Sequence, residues 1–226
     1  MRGCFVTGTD TGVGKTVLAA AIVAALRAGG DAVRPLKPVI TGLDEAADPD
    51  WPPDHELLAR VAGLATLDVF VADYGPAVSP HLAAELSGRP LSVQALAEWV
   101  RAAAAPGEVL VVEGVGGLLV PLGAGADLRD LAGAIGLPLV VAARPGLGTI
   151  NHTLLTLEAA RAAGLPVAGV VLTPWPDQPG LIERSNLETI AELGVVEVAT
   201  LGFVPRPEPA RLARAASSLP LTRWLK

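Results

Sequence analysis

Cysteine is nearly absent: Cys4 is the only one in 226 residues. No intrachain disulfide can form, which fits a reducing compartment. Three scattered histidines and one cysteine offer little from which to build a zinc site. Aromatic residues are 4% of the chain against 51% apolar overall. The core must therefore come from Ala, Val, Leu and Ile, which suits parallel strands covered by helices. Long apolar runs are missing too. The longest uncharged stretch, Ala162–Pro176, has 15 residues and contains prolines, too short and broken to span a bilayer. After Arg2 only Cys4, Phe5 and Val6 precede polar residues, which is no signal peptide. Lys plus Arg is 17 and Asp plus Glu is 23, a net charge of −6 with no basic run. A duplex-binding footprint is lacking. The expectation is a soluble cytoplasmic protein with no nucleic-acid and no membrane partner. Phosphate ligands stay open, because a few cations and backbone amides suffice for them.

Glycine and proline, 25 and 20 residues, are plentiful, yet below the share of about 25–30% that signals disorder. Short apolar runs at Cys4–Thr7, Ala32–Leu36, Val109–Val112, Pro138–Ala142, Val167–Leu172 and Ala199–Phe203 read as buried strands. Between them Lys15–Ala28, His55–Ala62, Val93–Ala104, Leu128–Ile135, Asn151–Ala163 and Ile182–Leu193 read as helices. Gly29, Gly63, Gly136, Gly164 and Gly194 follow as C′ residues. The alternation predicts one α/β domain over residues 1–226, an open and mainly parallel sheet with helices on both faces. Such sheets bind ligands at the carboxyl ends of their strands. The acidic, proline-rich stretch Leu43–Pro53 reads as a mobile loop. The tail beyond Pro205 carries little signal.

The first strand ends in Gly8-Thr9-Asp10-Thr11-Gly12-Val13-Gly14-Lys15-Thr16 and a helix follows at once. This is nearly the phosphate-loop pattern, with Thr9 where the first glycine belongs. Backbone amides and the helix dipole face an anion, Lys15 neutralises phosphate, and the Thr16 hydroxyl suits Mg²⁺. The fold is thus P-loop NTPase-like. The second strand leads to Lys37, a second cation for a transferring phosphoryl group if the first two strands lie close. The run Val109–Val112 leads to Glu113, with Gly114, Val115, Gly116 and Gly117 after it, a place for a metal-holding acid before backbone that approaches a ligand closely. Asp54 reads either as a helix N-cap or as a second metal carboxylate; the two are compatible. Thr149 or Asn151 reads as the cap of a later helix whose glycine-flanked start suits a carboxylate.

Together these residues resemble the dethiobiotin synthetase family. The resemblance rests on Val6–Thr11 with Val13–Thr16, on Lys37-Pro38-Val39 with Thr41-Gly42, on Asp54 and Ser79-Pro80-His81, and on Glu113–Gly117 and Gly148–His152. It implies ATP-dependent carboxylation and ring closure of 7,8-diaminononanoate with CO₂, in biotin synthesis. One amine forms a carbamate, ATP converts it to a carbamic–phosphoric anhydride, and the second amine closes the ureido ring. By the family's pattern Lys15 and Lys37 are catalytic, and Thr16, Asp54 and Glu113 hold Mg²⁺. The nucleotide falls on Gly12, Val13, Gly14, Lys15, Thr16, Val17, Asp54, Glu113, Gly114, Val115 and Gly116. Thr11 and Thr41 touch the carbamate end, Thr41 where the family often has Ser. Gly148, Thr149, Ile150 and Asn151 receive the substrate carboxylate from the other subunit, which implies a homodimer.

Two positions depart from the family. Thr173-Pro174 stands where better-known members carry Asn-Asp for adenine, and Pro205-Arg206-Pro207 where they carry Pro-Trp-Leu. The expectation is that ATP works and that selectivity against CTP or GTP is loose. The chemistry itself needs positioning and charge stabilisation rather than a covalent nucleophile. A ParA- or MinD-like switch ATPase shares the phosphate loop, but it usually carries a lysine where Asp10 stands. It also needs a basic surface or a membrane helix, for which only the tail Ala210–Lys226 is a candidate. A cobalamin-pathway amide ligase would need a glutaminase domain with a nucleophilic Cys.

Overall fold

The computed structural model describes every residue except 47, 49, 50, 124 and 226. Strand β1 (Arg2–Gly8) runs through the phosphate loop into α1 (Lys15–Ala28), followed by β2 (Val33–Leu36), the two-residue β3 (Val39–Ile40) and α2 (Asp54–Ala62). Next come β4 (Ala72–Asp73), α3 (Pro80–Ser87), α4 (Val93–Ala103), β5 (Val109–Gly117), the small strands β6 (Pro121–Gly123) and β7 (Ala126–Asp127), and α5 (Leu128–Ile135). The second half alternates: β8 (Leu139–Ala143), α6 (Thr149–Ala162), β9 (Val167–Trp175), α7 (Leu181–Gly194), β10 (Val198–Gly202), then α8 (Pro209–Ala215) and α9 (Leu221–Trp224).

Six strands form one parallel sheet in the order β10-β9-β8-β1-β5-β2. Both faces are buried, so successive side chains enter different cores, as the period of two requires. Cys4, Val6 and Val111 join Leu18 and Ile22 of α1 on one face. Phe5, Leu110 and Val112 join Leu128 and Leu131 of α5 on the other. A third cluster fixes α6 and α7 on β8 and β9 through Val141, Leu157, Val170 and Ile190.

Strands β1 and β2 are not neighbours; β5 lies between them. This arrangement brings Glu113, at the middle of β5 and paired with Val6 of β1, between the phosphate loop and the end of β2. Glu113 therefore lies inside the strand rather than just after it, as the run Val109–Val112 suggests. The strand continues to Gly117, with a register shift opposite Val6–Gly8, because three glycines let its backbone bend and stay paired.

Other expectations need correction. Asp54 does not cap α2. It is the first helical residue, Pro53 takes the cap position, and no side-chain cap bond forms. Neither Thr149 nor Asn151 caps α6; Gly148 does so in the left-handed region, without a side-chain bond. Gly194 lies inside α7, and Val195 takes the left-handed position at φ 44°. The reason is contact: a Cβ on Gly194 would stand 2.9 Å from Leu157 Cδ1 of α6. The tail is not a surface helix. Leu212, Trp224 and Leu225 belong to the core against α1, and only Lys226 lies outside the described residues. In the 43–53 segment, positions 47, 49 and 50 also lie outside them. Its beginning is tied down, with the amides of Gly42, Leu43 and Asp44 donating to the carbonyls of Pro76, Tyr74 and Gly75.

Candidate active site

The phosphate loop bridges the end of β1 and the start of α1. Gly12 and Gly14 hold φ of 71° and 91°, a region that residues with a Cβ avoid. Space also demands glycine: a Cβ on Gly14 would meet Thr173 Cγ2 at 3.0 Å. Among the described residues the amides of Gly12, Val13, Gly14, Lys15 and Thr16 find no protein acceptor. Such a row of free donors at a helix start is an anion cradle. Lys15 curls over it and donates to the Asp10 carbonyl at 2.9 Å. Its burial holds the ammonium pKa below the usual lysine range.

Beside the loop four side chains converge. Lys37 Nζ lies 2.6 Å from Asp54 Oδ2 and 2.7 Å from Glu113 Oε1. Thr16 donates its hydroxyl to the same Glu113 oxygen at 2.7 Å. Burial disfavours charge on Lys37, but Glu113 and Asp54 outweigh it and hold the pKa above the usual range. Burial pushes Glu113 up, against the pull of Lys37. Burial would raise Asp54 as well, yet Lys37 prevails and the carboxyl sits below its usual value. Glu113 Oε2 is buried with no partner among the described residues, so this acid has a coordination position to spare.

The donor set fits Mg²⁺. Magnesium takes one or two carboxylates and fills the remaining octahedral positions with phosphate oxygens and water. Two carboxylates and a hydroxyl meet here, already gathered around a cationic group, the Lys37 ammonium.

All of this opens onto a cavity of about 910 Å³. Of the residues singled out from sequence, Thr11, Gly12, Gly14, Lys15, Thr16, Val17, Lys37, Thr41, Asp54, Val115 and Gly116 line it. Val13 and Glu113 are buried just behind. Gly114 faces elsewhere: its Cβ would meet Leu128 Cδ2 at 2.7 Å and Phe5 Cε1 at 3.0 Å, so it serves core packing. Thr173 is buried against Gly14, while Pro174 and Pro205–Pro207 stand at the ends of β9 and β10 outside the cavity wall. Gly148–Asn151 do not line the cavity of their own chain. Thr149 points inward, its hydroxyl 3.5 Å from that of Thr153. Ser79 and His81 bond to each other at the start of α3, Oγ to Nδ1, at 2.9 Å.

Sequence reasoning missed Trp51 and His55, which line the cavity. His55 is buried edge-on to Phe70, ring centroids 5.3 Å apart, and its Nδ1 has no partner among the described residues. It also missed Arg144, whose guanidinium donates to the Gly12 carbonyl at 3.2 Å. A charged residue directly after the apolar run Leu139–Ala143 was the available signal, since ligands gather at such strand ends.

A family model described as an AAA domain matches residues 2–211. The chain is 44% identical over 227 residues to the ATP-dependent dethiobiotin synthetase BioD of Rhodococcus jostii, covering 98% of this chain and 95% of the relative. It is 46% identical to the protein of that name from Anaeromyxobacter dehalogenans, covering 97% of each. Among solved structures it resembles a ParA family ATPase from Chlorobium tepidum, with TM-score 0.51, 13% identity, and 98% and 92% of the two chains covered. It also resembles a Cyanothece McdA–ATP complex, with TM-score 0.53, 12% identity, and 98% and 91% covered. At such identities the structural likeness speaks for the fold alone.

Proposed function

The chain belongs to the dethiobiotin synthetase family, and from that premise we propose how its own residues carry out the reaction. It is an ATP-dependent ligase that forms dethiobiotin. The substrate in this reading is 7,8-diaminononanoate. One amine adds to CO₂ and loses a proton, giving a carbamate. A carbamate oxygen attacks the γ-phosphorus of ATP and ADP leaves, giving a carbamic–phosphoric anhydride. The second amine attacks the anhydride carbon, phosphate departs, and the ureido ring closes.

No step needs a protein nucleophile, and the task is positioning and charge control. The free amides of the phosphate loop and Lys15 bind the phosphates. Lys37 offers a second cation where negative charge develops on the transferring group. Thr16, Asp54 and Glu113 would hold Mg²⁺, which when bound neutralises phosphate oxygens. Thr11 and Thr41 hold the carbamate end, on the same cavity wall as Lys37. The carboxylate end is received at Gly148–Asn151 of a second subunit, a reading supported by the family resemblance and consistent with their not lining the cavity of their own chain. The protein therefore works as a homodimer. Thr173-Pro174, at the end of β9 with Thr173 against Gly14 of the phosphate loop, and Pro205-Arg206-Pro207, after β10, face the base in this reading.

One observation carries this reading above the others: Lys37, Asp54, Glu113 and Thr16 converge within hydrogen-bond distance beside a phosphate loop. The test is product mass after mixing the protein with 7,8-diaminononanoate, bicarbonate, Mg²⁺ and ATP. Dethiobiotin that vanishes in Lys37→Ala supports both the reaction and the lysine's role. Dethiobiotin at full rate in that variant removes Lys37 from the chemistry, and no product from folded wild-type protein overturns the substrate assignment.

A further inference from the structure

Arg144 follows β8 directly, and β8 flanks β1 on the side away from β5 and Lys37. Its guanidinium is exposed and has no acidic partner among the described residues. It donates instead to the carbonyl of Gly12, at the crest of the phosphate loop. The two groups are close enough that a Cβ on Gly12 would lie 3.3 Å from Arg144 Nη2.

A trans peptide points its C=O and the next N–H in opposite directions. A Gly12 carbonyl held by Arg144 therefore turns the Val13 N–H to the other side, where it has no acceptor among the described residues. Gly12, at φ 71°, offers little resistance to a flip of this peptide by itself. The segment behind the arginine is anchored. The buried Asn186 of α7 donates to the carbonyls of Pro145 at 2.8 Å and Gly146 at 3.1 Å.

We propose that Arg144 is a positioning residue for the phosphate loop: its bond to Gly12 fixes the Gly12–Val13 peptide with the Val13 N–H facing the nucleotide's phosphates. The proposal rests on the nucleotide-binding reading above. It requires an oriented donor at position 144, beyond a positive charge.

The test is calorimetric Mg·ATP binding to wild type, Arg144→Met and Arg144→Lys, at low salt and at about 1 M salt, where the screening length is about 3 Å. Arg144→Met weakens binding about tenfold at both salts, the worth of one charge-assisted hydrogen bond. Arg144→Lys, which keeps the charge on a shorter and unoriented ammonium, recovers less than half of the loss. The thermal midpoint and the KM for the diamine stay at wild-type values. Arg144→Met binding within twofold of wild type overturns the proposal, as does a loss that disappears at high salt or that Arg144→Lys repairs in full. A wild-type chain that binds no Mg·ATP overturns the nucleotide reading, and this proposal with it.

Discussion

Removing the Lys37 ammonium would leave Glu113, 1% exposed, with the Thr16 hydroxyl as its one remaining partner among the described residues. Breaking a buried pair from one side is costly, on the order of 3 kcal/mol. Lys37→Ala therefore lowers stability by roughly that amount in denaturant unfolding at neutral pH. The loss grows as pH rises from about 4, because a buried acid whose folded pKa exceeds its unfolded value binds more protons folded than unfolded. The double variant Lys37→Met with Glu113→Gln regains most of the stability and stays inactive. A single variant as stable as wild type would contradict this account of the pair. Residues such as Thr16, Lys37 and Glu113 were legible in the sequence because each closes an apolar run or opens a helix. Arg144 also closes an apolar run, but nothing in the sequence ties it to Gly12, and the two bonds of Asn186 to distant carbonyls leave no spacing pattern.

Helices α1 and α5 begin and end where hydrophobic period and cap chemistry place them, at Lys15–Ala28 and Leu128–Ile135. Short, proline-started helices such as α3 and α8 escaped, having too few turns to show a period. The cap of α5 carries a prediction. Asp127 accepts from the Arg129 amide at 2.8 Å and its guanidinium at 2.7 Å, and Asp130 returns the capping box. Burial would raise the Asp127 pKa, but Arg129 outweighs it and holds the carboxyl below its usual value. Asp127→Ala costs about 1 kcal/mol at neutral pH. Because the folded pKa is depressed, this contribution is present above about pH 4 and disappears as pH falls through the folded pKa. Chemical denaturation of both proteins from pH 7 to pH 3 tests it; a gap that does not change with pH would refute the charged cap. At the other edge, the positions proposed to face the base lie at the ends of β9 and β10. Thr173-Pro174 and Pro205–Pro207 lack the family's Asn-Asp and Pro-Trp-Leu. Comparing kcat/KM across ATP, CTP and GTP shows loose selectivity in this account, and a preference for ATP above about 100-fold, roughly 2.7 kcal/mol, would contradict it.

Across the molecule the parallel sheet was legible in alternating apolar runs, whereas the closure of the chain on itself was not. The tail returns to the sheet. Trp224 lies over Gly169 of β9 so closely that a Cβ there would stand 2.2 Å from its ring. Its indole donates to Glu197 at 2.9 Å, and Arg2 Nε holds the Leu225 carbonyl at 3.0 Å. These contacts join residues more than 20 positions apart, which local patterns do not register. Trp224→Ala lowers stability by about 3–5 kcal/mol, the cost of emptying such a site; an unchanged unfolding midpoint would mean that the tail is not part of the core. No helix among the described residues is long and apolar enough to cross a membrane.

The central claim is that the cavity beside Lys37 joins CO₂ to a diamine through a phosphorylated carbamate, and isotope transfer tests it most directly. Single turnovers with ¹⁸O-labelled bicarbonate in unlabelled water, read by mass spectrometry of both products, follow the oxygen that bridges carbon and phosphorus. The account predicts dethiobiotin together with phosphate that carries label from the bicarbonate. Dethiobiotin formed alongside wholly unlabelled phosphate, with label still present in the bicarbonate pool, would contradict it.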